Sequence, residues 1–292
     1  MSTDSGRGGF LARVYRLTTR PVDPSADEPV CVRPGLTVPK FVLEWSRHGP
    51  AEAKGVLRRL GDHGDPQGRS VLVVGRGAAD LGIEVANRGA TEVIALEMAG
   101  ARLDLSQARL EGGATSGRVD VRRFQGSLAE LEERRFGLIL AVNAFRRYGA
   151  SPSSRHLETL LDEIAGRLEP DGLLAVEFIA PWKSPFGGGG DSRLPWAHLL
   201  FPESVIFEEF RRVRADSDAR TFGDIGINKI TVERFRRALA HSGLVPVWVA
   251  RNRGERRILS VLRALARVRV LEESLTLSIH GVWRRAGSPP GP

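Results

Sequence analysis

The chain is poor in cysteine, with Cys31 the only one among 292 residues. That excludes an intramolecular disulfide and any cysteine-based metal cluster, and it suits a reducing compartment. Long apolar runs are missing too. None approaches the roughly 18 residues a membrane-crossing helix needs. The first residues, Met1 to Gly9, are polar and glycine-rich and lack the apolar centre of a secretion signal. A cytoplasmic location with no membrane partner is the expectation. Lysine is scarce: Lys40, Lys54, Lys183 and Lys229 are the only four, and every other basic residue is arginine. The net charge is +8, yet the arginines are scattered as pairs (58–59, 122–123, 211–212, 284–285) beside acids or on helical faces. Such scatter reads as compositional bias rather than as a nucleic-acid footprint, so a nucleic acid is not an expected partner.

What is present is a strand, a glycine turn and a helix. Val71 to Val74 form a short apolar run, followed by Gly75-Arg76-Gly77-Ala78-Ala79 and an amphipathic stretch from Asp80 to Arg88. A second apolar run, Glu92 to Leu96, ends on Glu97, 20 residues after Gly77. Glycines let the backbone approach a ligand closely, the helix N-terminus supplies unpaired N–H groups, and the acid can accept hydrogen bonds from ribose hydroxyls. The pattern suits an adenosine-bearing ligand. A dinucleotide fingerprint would place a third glycine at position 80, which holds Asp80. That argues against a nicotinamide-dependent oxidoreductase.

Alternation continues downstream. Strands are expected at 71–74, 92–96, 118–124, 136–142 and 172–178, with helices at 80–88, 101–111, near 127–134 and at 152–167. Ser151-Pro152 is a good helix start and Pro170-Asp171-Gly172 a turn. Alternation of this kind implies a parallel sheet with helices on both faces. A tail of helix 232–242 (capped by Thr231 and ended at Gly243), strand 245–250, helix 255–268 and strand 275–284 breaks it. Ahead of the sheet, Phe10 to Leu17 form one amphipathic stretch, and 38–60 read as two helices broken at Gly49-Pro50.

The turn Gly75-Arg76-Gly77-Ala78-Ala79 and the segments behind it resemble the class I S-adenosylmethionine-dependent methyltransferases. Glu97-Met98 stands where that family has its ribose-binding acid and the apolar residue packed on adenine. Gln125-Gly126-Ser127-Leu128 stands where it often has a glycine-aspartate pair reaching the adenine amino group. Phe136 to Phe145 resembles its fourth strand and the following turn. Leu161 to Leu174, with Arg167-Leu168-Glu169-Pro170-Asp171-Gly172, resembles its fifth-strand approach. The resemblance covers about residues 66–285. It implies a Rossmann-like, doubly wound seven-stranded α/β sheet, six strands parallel and one antiparallel, the last strand inserted between the fifth and sixth. It implies S-adenosylmethionine as cofactor, held by Gly75, Arg76, Gly77, Ala79, Glu97, Met98, Ser127, Leu128 and Asn143. The expected activity is methyl transfer to an oxygen or nitrogen of a small-molecule acceptor, and a homodimer is a possible assembly.

Four positions depart from the family pattern: Val73 for the acid that anchors the methionyl amine, Ala79 for the third glycine, Ser127 for the adenine aspartate, and Gly137 for the aspartate of the fourth strand. Val73 and Arg76 keep an alternative open: a methyltransferase-like protein that binds the cofactor, or uses its pocket, for other chemistry or none. The expected organisation is an N-terminal helical segment (1–65), a cofactor-binding core (66–180), a lid insertion (181–229) and the remainder of the core (230–287). Four consecutive glycines, 187–190, give the lid hinge freedom, and Trp182, Phe186, Trp196 and Phe201 give it an apolar underside. His198, in the apolar part of the lid, is the candidate general base, and Arg147, after Asn143, a candidate acceptor-binding residue. His241 and His280 read as structural residues of the tail, away from the strand ends. No metal site is expected.

Overall fold

Val71 to Val74 carry no exposed surface at all, and the strand they belong to lies in the middle of a seven-stranded sheet. The computed structural model describes every residue except 1–3, 20–24, 26–27, 34–35, 76, 98–99, 116, 125–126, 146–155, 190–191, 215–216, 254–261, 263, 267 and 289–292. The elements of the core are β3 (Ser70–Gly75), α3 (Ala78–Asn87), β4 (Glu92–Glu97), α4 (Gly100–Glu111), β5 (Val119–Arg123), β6 (Phe136–Val142), α5 (His156–Gly166), β7 (Leu168–Ile179), α8 (Val232–His241), β8 (Leu244–Arg251), α9 (Arg269–Leu275) and β9 (Ser278–Arg285). They are preceded by helix α1 (Asp4–Thr18), a hairpin β1 (Pro29–Arg33) and β2 (Leu36–Pro39), and helix α2 (Lys40–Leu60). Two further helices, α6 (Ala197–Leu200) and α7 (Glu203–Val213), lie between β7 and α8.

The strand order is β5-β4-β3-β6-β7-β9-β8. Pairing is parallel from β5 through β7, while β9 runs antiparallel to both β7 and β8. The sheet therefore has six parallel strands and one antiparallel, with β9 inserted between β7 and β8, as the family resemblance implies. The order of the strands reverses between β3 and β6, which opens a crevice at their carboxyl ends.

Both faces are buried because consecutive strand residues point to opposite sides and both sets are apolar. Leu72, Val74, Ile94, Leu96, Ile139 and Val176 pack on α5 and α8. Val71, Val73, Val93, Ala95, Leu138, Leu140 and Ala175 pack on α2 and α3. Local signals end the helices as anticipated: the Thr231 hydroxyl accepts the Arg234 N–H at 3.2 Å, and Gly243 follows α8 with φ 68°.

Several expectations need correction. Helix α2 is unbroken through Pro50. Gly49 serves packing rather than interruption, since a Cβ there would overlap the Asp80 carboxylate at the start of α3. The packing of Ala53, Val56, Leu57 and Leu60 against the sheet holds the helix across the proline. Pro170-Asp171-Gly172 lies inside β7 as a bulge: Phe136 pairs with Leu168 and Leu138 with Leu173. The helix near 127–134 is only a 3₁₀ turn, Ala129–Leu131. The hairpin of β1 and β2 was not anticipated; Val38 packs with Val42 of α2 and Leu105 of α4. The Ser151-Pro152 helix start and most of helix 255–268 fall outside the described residues.

Residues 194–227 and α1 share a core of their own. Ala12 and Tyr15 pack with Ala197, Phe201, Val205, Ile206, Phe207, Phe222 and Ile227. Tyr15 meets Phe201 edge-on at 5.1 Å between ring centroids, and Arg16 donates from Nε to the buried Glu209 at 2.9 Å. Gly187 and Gly188 are close-packed rather than open: a Cβ would strike the Trp182 carbonyl from the first and the His198 ring from the second.

Candidate functional site

The site is built on one row across the carboxyl edge of the sheet. Gly75 is level with Glu97 on one side and Val142 on the other; Val142 is level with Glu177, and Glu177 with His280. Residues level with one another in paired strands point to the same face, here the face covered by α2 and α3.

The turn after β3 requires its glycines. Gly75 has φ 130°, and a Cβ there would overlap the Val142 carbonyl. Gly77 has φ 81° and caps α3 in the left-handed conformation. Gly77 N–H donates to Glu97 Oε2 at 3.0 Å, which ties the end of β4 to the turn. Glu97 is buried at 1% exposure. Ala79 puts its methyl into the sheet-facing core of α3, leaving the backbone N–H groups of the first helical turn without helical partners. Val73 is part of that same core and fully buried, so no acid rises from this position of β3. Arg76 and Met98 lie outside the described residues, as do Arg147 and Tyr148.

The other predicted contacts are held differently. Ser127 Oγ donates to Glu163 Oε1 at 2.8 Å, and Leu128 N–H donates to Glu163 Oε2 at 2.6 Å. Glu163 of α5 thereby fixes the loop after β5, and Leu128 is buried in the core beneath it. Asn143, at the end of β6, has φ 52°. Its N–H donates to the Glu177 carbonyl at 2.8 Å and its Oδ1 accepts from Ile179 N–H at 3.3 Å. Asn143 therefore locks the exit of β6 to β7. Ala180, Trp196 and Lys229 also have positive φ. Left-handed non-glycine residues concentrate at functional edges, and four of the six described ones, with Asn143, lie at the exits of β6 and β7 or in the segment between β7 and α8.

His198 is packed at 9% exposure. Its Nε2 lies 2.5 Å from the Trp182 carbonyl. A carbonyl only accepts, so Nε2 carries the proton. The ring also meets Trp182 edge-on at 4.7 Å. Lys229 pairs with Glu203 and sits 5.3 Å above the Trp182 ring.

The charged part of the row is what the sequence reading missed. Arg59 of α2 grips Glu177 in a fork, Nε to Oε2 at 2.8 Å and Nη2 to Oε1 at 3.0 Å. His280 Nδ1 lies 3.2 Å from Glu177 Oε2. Burial pushes the Glu177 carboxyl up, but the close approach of His280 and the Arg59 fork outweigh it and hold the group below its ordinary range. The tail histidine is thus not away from the strand ends. Because β9 runs antiparallel, its first residues stand beside the carboxyl end of β7. The available signal was Glu177 itself, a lone acid in the apolar run Leu173 to Ile179.

A hollow of about 800 Å³ lies between the end of α2 and Arg88, lined by Lys54, Arg58, Asp62 and Asp65 among others. It sits at the far end of α3 from the glycine turn, whereas open α/β sheets bind at the carboxyl edge. Among the described residues no group of side chains forms a metal site, and no helix is long and apolar enough to cross a membrane.

Solved structures share this architecture. The mitomycin 7-O-methyltransferase MmcR superposes with a TM-score of 0.50 at 14% identity, over 85% of this chain and 57% of that one. The present chain thus spans little more than half the length of MmcR. The CcbJ methyltransferase of Streptomyces caelestis gives 0.50 at 14% identity, over 82% of this chain and 90% of that one. A Listeria monocytogenes protein put forward as an S-adenosylmethionine-dependent methyltransferase gives 0.51 at 14%, over 82% and 99%. The chain has the class I methyltransferase fold. No family model matches the sequence, and no curated protein matches it. Within the methyltransferase fold, the Gly75–Gly77 turn and Glu97 stand at the switch point between β3, β4 and β6.

Proposed function

We propose that the protein binds S-adenosylmethionine and transfers its methyl group to an oxygen or nitrogen of a small-molecule acceptor. The observation that carries this reading is buried Glu97 bonded to the Gly77 N–H at the switch point of the sheet. The donor set suits a nucleoside: turn and helix N–H groups for oxygens, and a carboxylate at the second strand end for ribose hydroxyls. When bound, the cofactor supplies an electrophilic methyl. The chain's own task is to hold the acceptor atom in line with it, worth about 7 kcal/mol or more in good geometry.

In this reading Gly75, Gly77 and Ala79 surround the cofactor, Arg76 and Met98 remain cofactor-binding candidates from the sequence, and Asn143 sets the edge between cofactor and acceptor. Ser127 and Leu128 border the base through a loop that Glu163 fixes. Residues 181–229, together with α1, form the lid over the acceptor, and Arg147 remains the acceptor-binding candidate from the sequence. His198 keeps Trp182 in place, since its Nε2–H is committed to the Trp182 carbonyl. Buried Val73 favours a second reading, in which the pocket serves other chemistry, because the methionyl amine finds no acid on β3.

Calorimetric titration with S-adenosylmethionine, S-adenosylhomocysteine and NADH side by side tests the proposal. The two sulfur nucleosides are expected to bind and NADH not to. Binding of NADH alone sinks the reading. Binding of S-adenosylmethionine without transfer to any acceptor in a broad screen selects the second.

A further inference from the structure

Glu177 and His280 are almost fully buried, at 0% and 1% exposure, level with one another in the β7–β9 pair. Apolar side chains would fill that space without the cost of removing charge from water. The polar chain also continues. His280 Nε2 lies 2.9 Å from Ser278 Oγ, so Arg59, Glu177, His280 and Ser278 follow one another from α2 to the first residue of β9.

The chain has a direction. In its neutral form the ring carries its proton on Nδ1, 3.2 Å from Glu177 Oε2, because an ionised carboxylate has none to give. Nε2 then keeps its lone pair and accepts from the Ser278 hydroxyl. Ser278 stands level with Ile179, whose 36% exposure marks the open carboxyl edge. It is on the same face as Glu97 and Gly75. Its backbone is fixed as well: Asn252 Oδ1 accepts from Ser278 N–H at 3.2 Å, and Asn252 N–H donates to the Ser278 carbonyl at 3.0 Å. A basic nitrogen is thereby held one hydroxyl behind the edge, oriented by a carboxylate that is itself forked by Arg59.

We propose that Ser278, His280 and Glu177 form a proton relay at the acceptor end of the site, and that the acceptor presents an ionisable hydroxyl such as a phenol. The proposal rests on the methyl-transfer reading and narrows it to oxygen. As the acceptor oxygen bonds to the methyl carbon, the carbon–sulfur bond breaks and its electron pair stays on sulfur. The acceptor proton passes to Ser278 Oγ while the Ser278 proton passes to His280 Nε2. The imidazolium so formed faces Glu177. Ser278 touches the acceptor. His280 and Glu177 act through it, as positioning residues.

Two measurements test this. Nitrogen-15 histidine spectra of the free protein, recorded where the ring is neutral, are expected to show His280 protonated at Nδ1, with the Nε2 resonance displaced in Ser278→Ala. A proton on Nε2 instead overturns the relay without reference to methyl transfer. The second measurement follows transfer of labelled methyl from S-adenosylmethionine to substituted phenols of graded acidity. Ser278→Ala and His280→Gln are expected to lower kcat about a hundredfold for weakly acidic phenols. The loss should shrink for phenols already ionised, with KM and the affinity for S-adenosylhomocysteine unchanged. An equal loss across the series, transfer to amines alone, or cofactor binding with no phenol methylated overturns the relay. Failure to bind S-adenosylmethionine overturns the methyl-transfer reading instead, and calorimetry reads that separately.

Discussion

Glu97 occupies its place because two demands meet there. It bonds the Gly77 N–H at 3.0 Å, and in the proposed function it also accepts from ribose. Glu97→Ala is expected to weaken S-adenosylmethionine binding by about 1–3 kcal/mol, because the ribose hydroxyls lose their acceptor. Calorimetry checks this, and an unchanged affinity removes Glu97 from the site. Gly75→Ala acts on the fold instead. Its φ of 130° and the Val142 carbonyl against it leave no room for a methyl, and a loss of about 2–4 kcal/mol is expected in a urea titration. The two variants separate what the glycine turn does for the chain from what it does for a ligand. Residue patterns picked out Gly75, Gly77 and Glu97 as candidates because their spacing is local. They did not reveal the partners of Glu177, since Arg59 lies 118 positions away and nothing in either stretch of sequence names the other.

Among the elements, the first five strands of the sheet were legible within a residue or two for most of their ends, since buried strands are continuous apolar runs. β7 was the exception: it begins at Leu168 and absorbs a turn sequence as a bulge, because Phe136 on the neighbouring strand offers it a partner. Helix α2 was misread for the same kind of reason. A Gly-Pro pair signals a break locally, but here the glycine is required by contact with α3. Helix α1 shows how a weak local signal is completed by a distant surface. Its apolar stretch closes a core made by α6, α7 and Phe222. Tyr15→Ala should cost about 3 kcal/mol of that unit's stability, the low end for deleting a buried aromatic ring. Limited proteolysis is the readout, with faster cleavage within 194–227 expected and the β3–β6 core unaffected. Equal protection in the variant would show that α1 is not needed there.

For the whole molecule, the depressed Glu177 carboxyl sets a direction with pH. A carboxyl whose folded pKa lies below its unfolded value, about 4.3, contributes stability that is fully present above that value. The contribution is lost as pH falls through the folded value. Urea midpoints should therefore hold from neutrality down to about pH 5 and then drop. Arg59→Ala leaves a buried carboxylate with one partner fewer. A loss of about 3 kcal/mol is expected at neutral pH, the low end for a broken buried pair because Arg59 is a quarter exposed. The acid-side drop should be smaller in that variant, since less remains to lose; an acid limb as steep as the wild type's would detach Glu177 from it. The joining of α1 to residues 194–227 bears, finally, on how the chain is made. Synthesis runs from the N-terminus at about 5–20 residues per second. Tyr15 and Ala12 are therefore translated well before Phe201, Phe207 and Phe222, the side chains that will bury them. Until the ribosome has passed Ile227, the first helix has an apolar stripe and nothing to lay it on. The nascent chain carries that exposed stripe through the whole interval in which β3 to β7 are emerging, and it is over this interval that a chaperone would have most to hold.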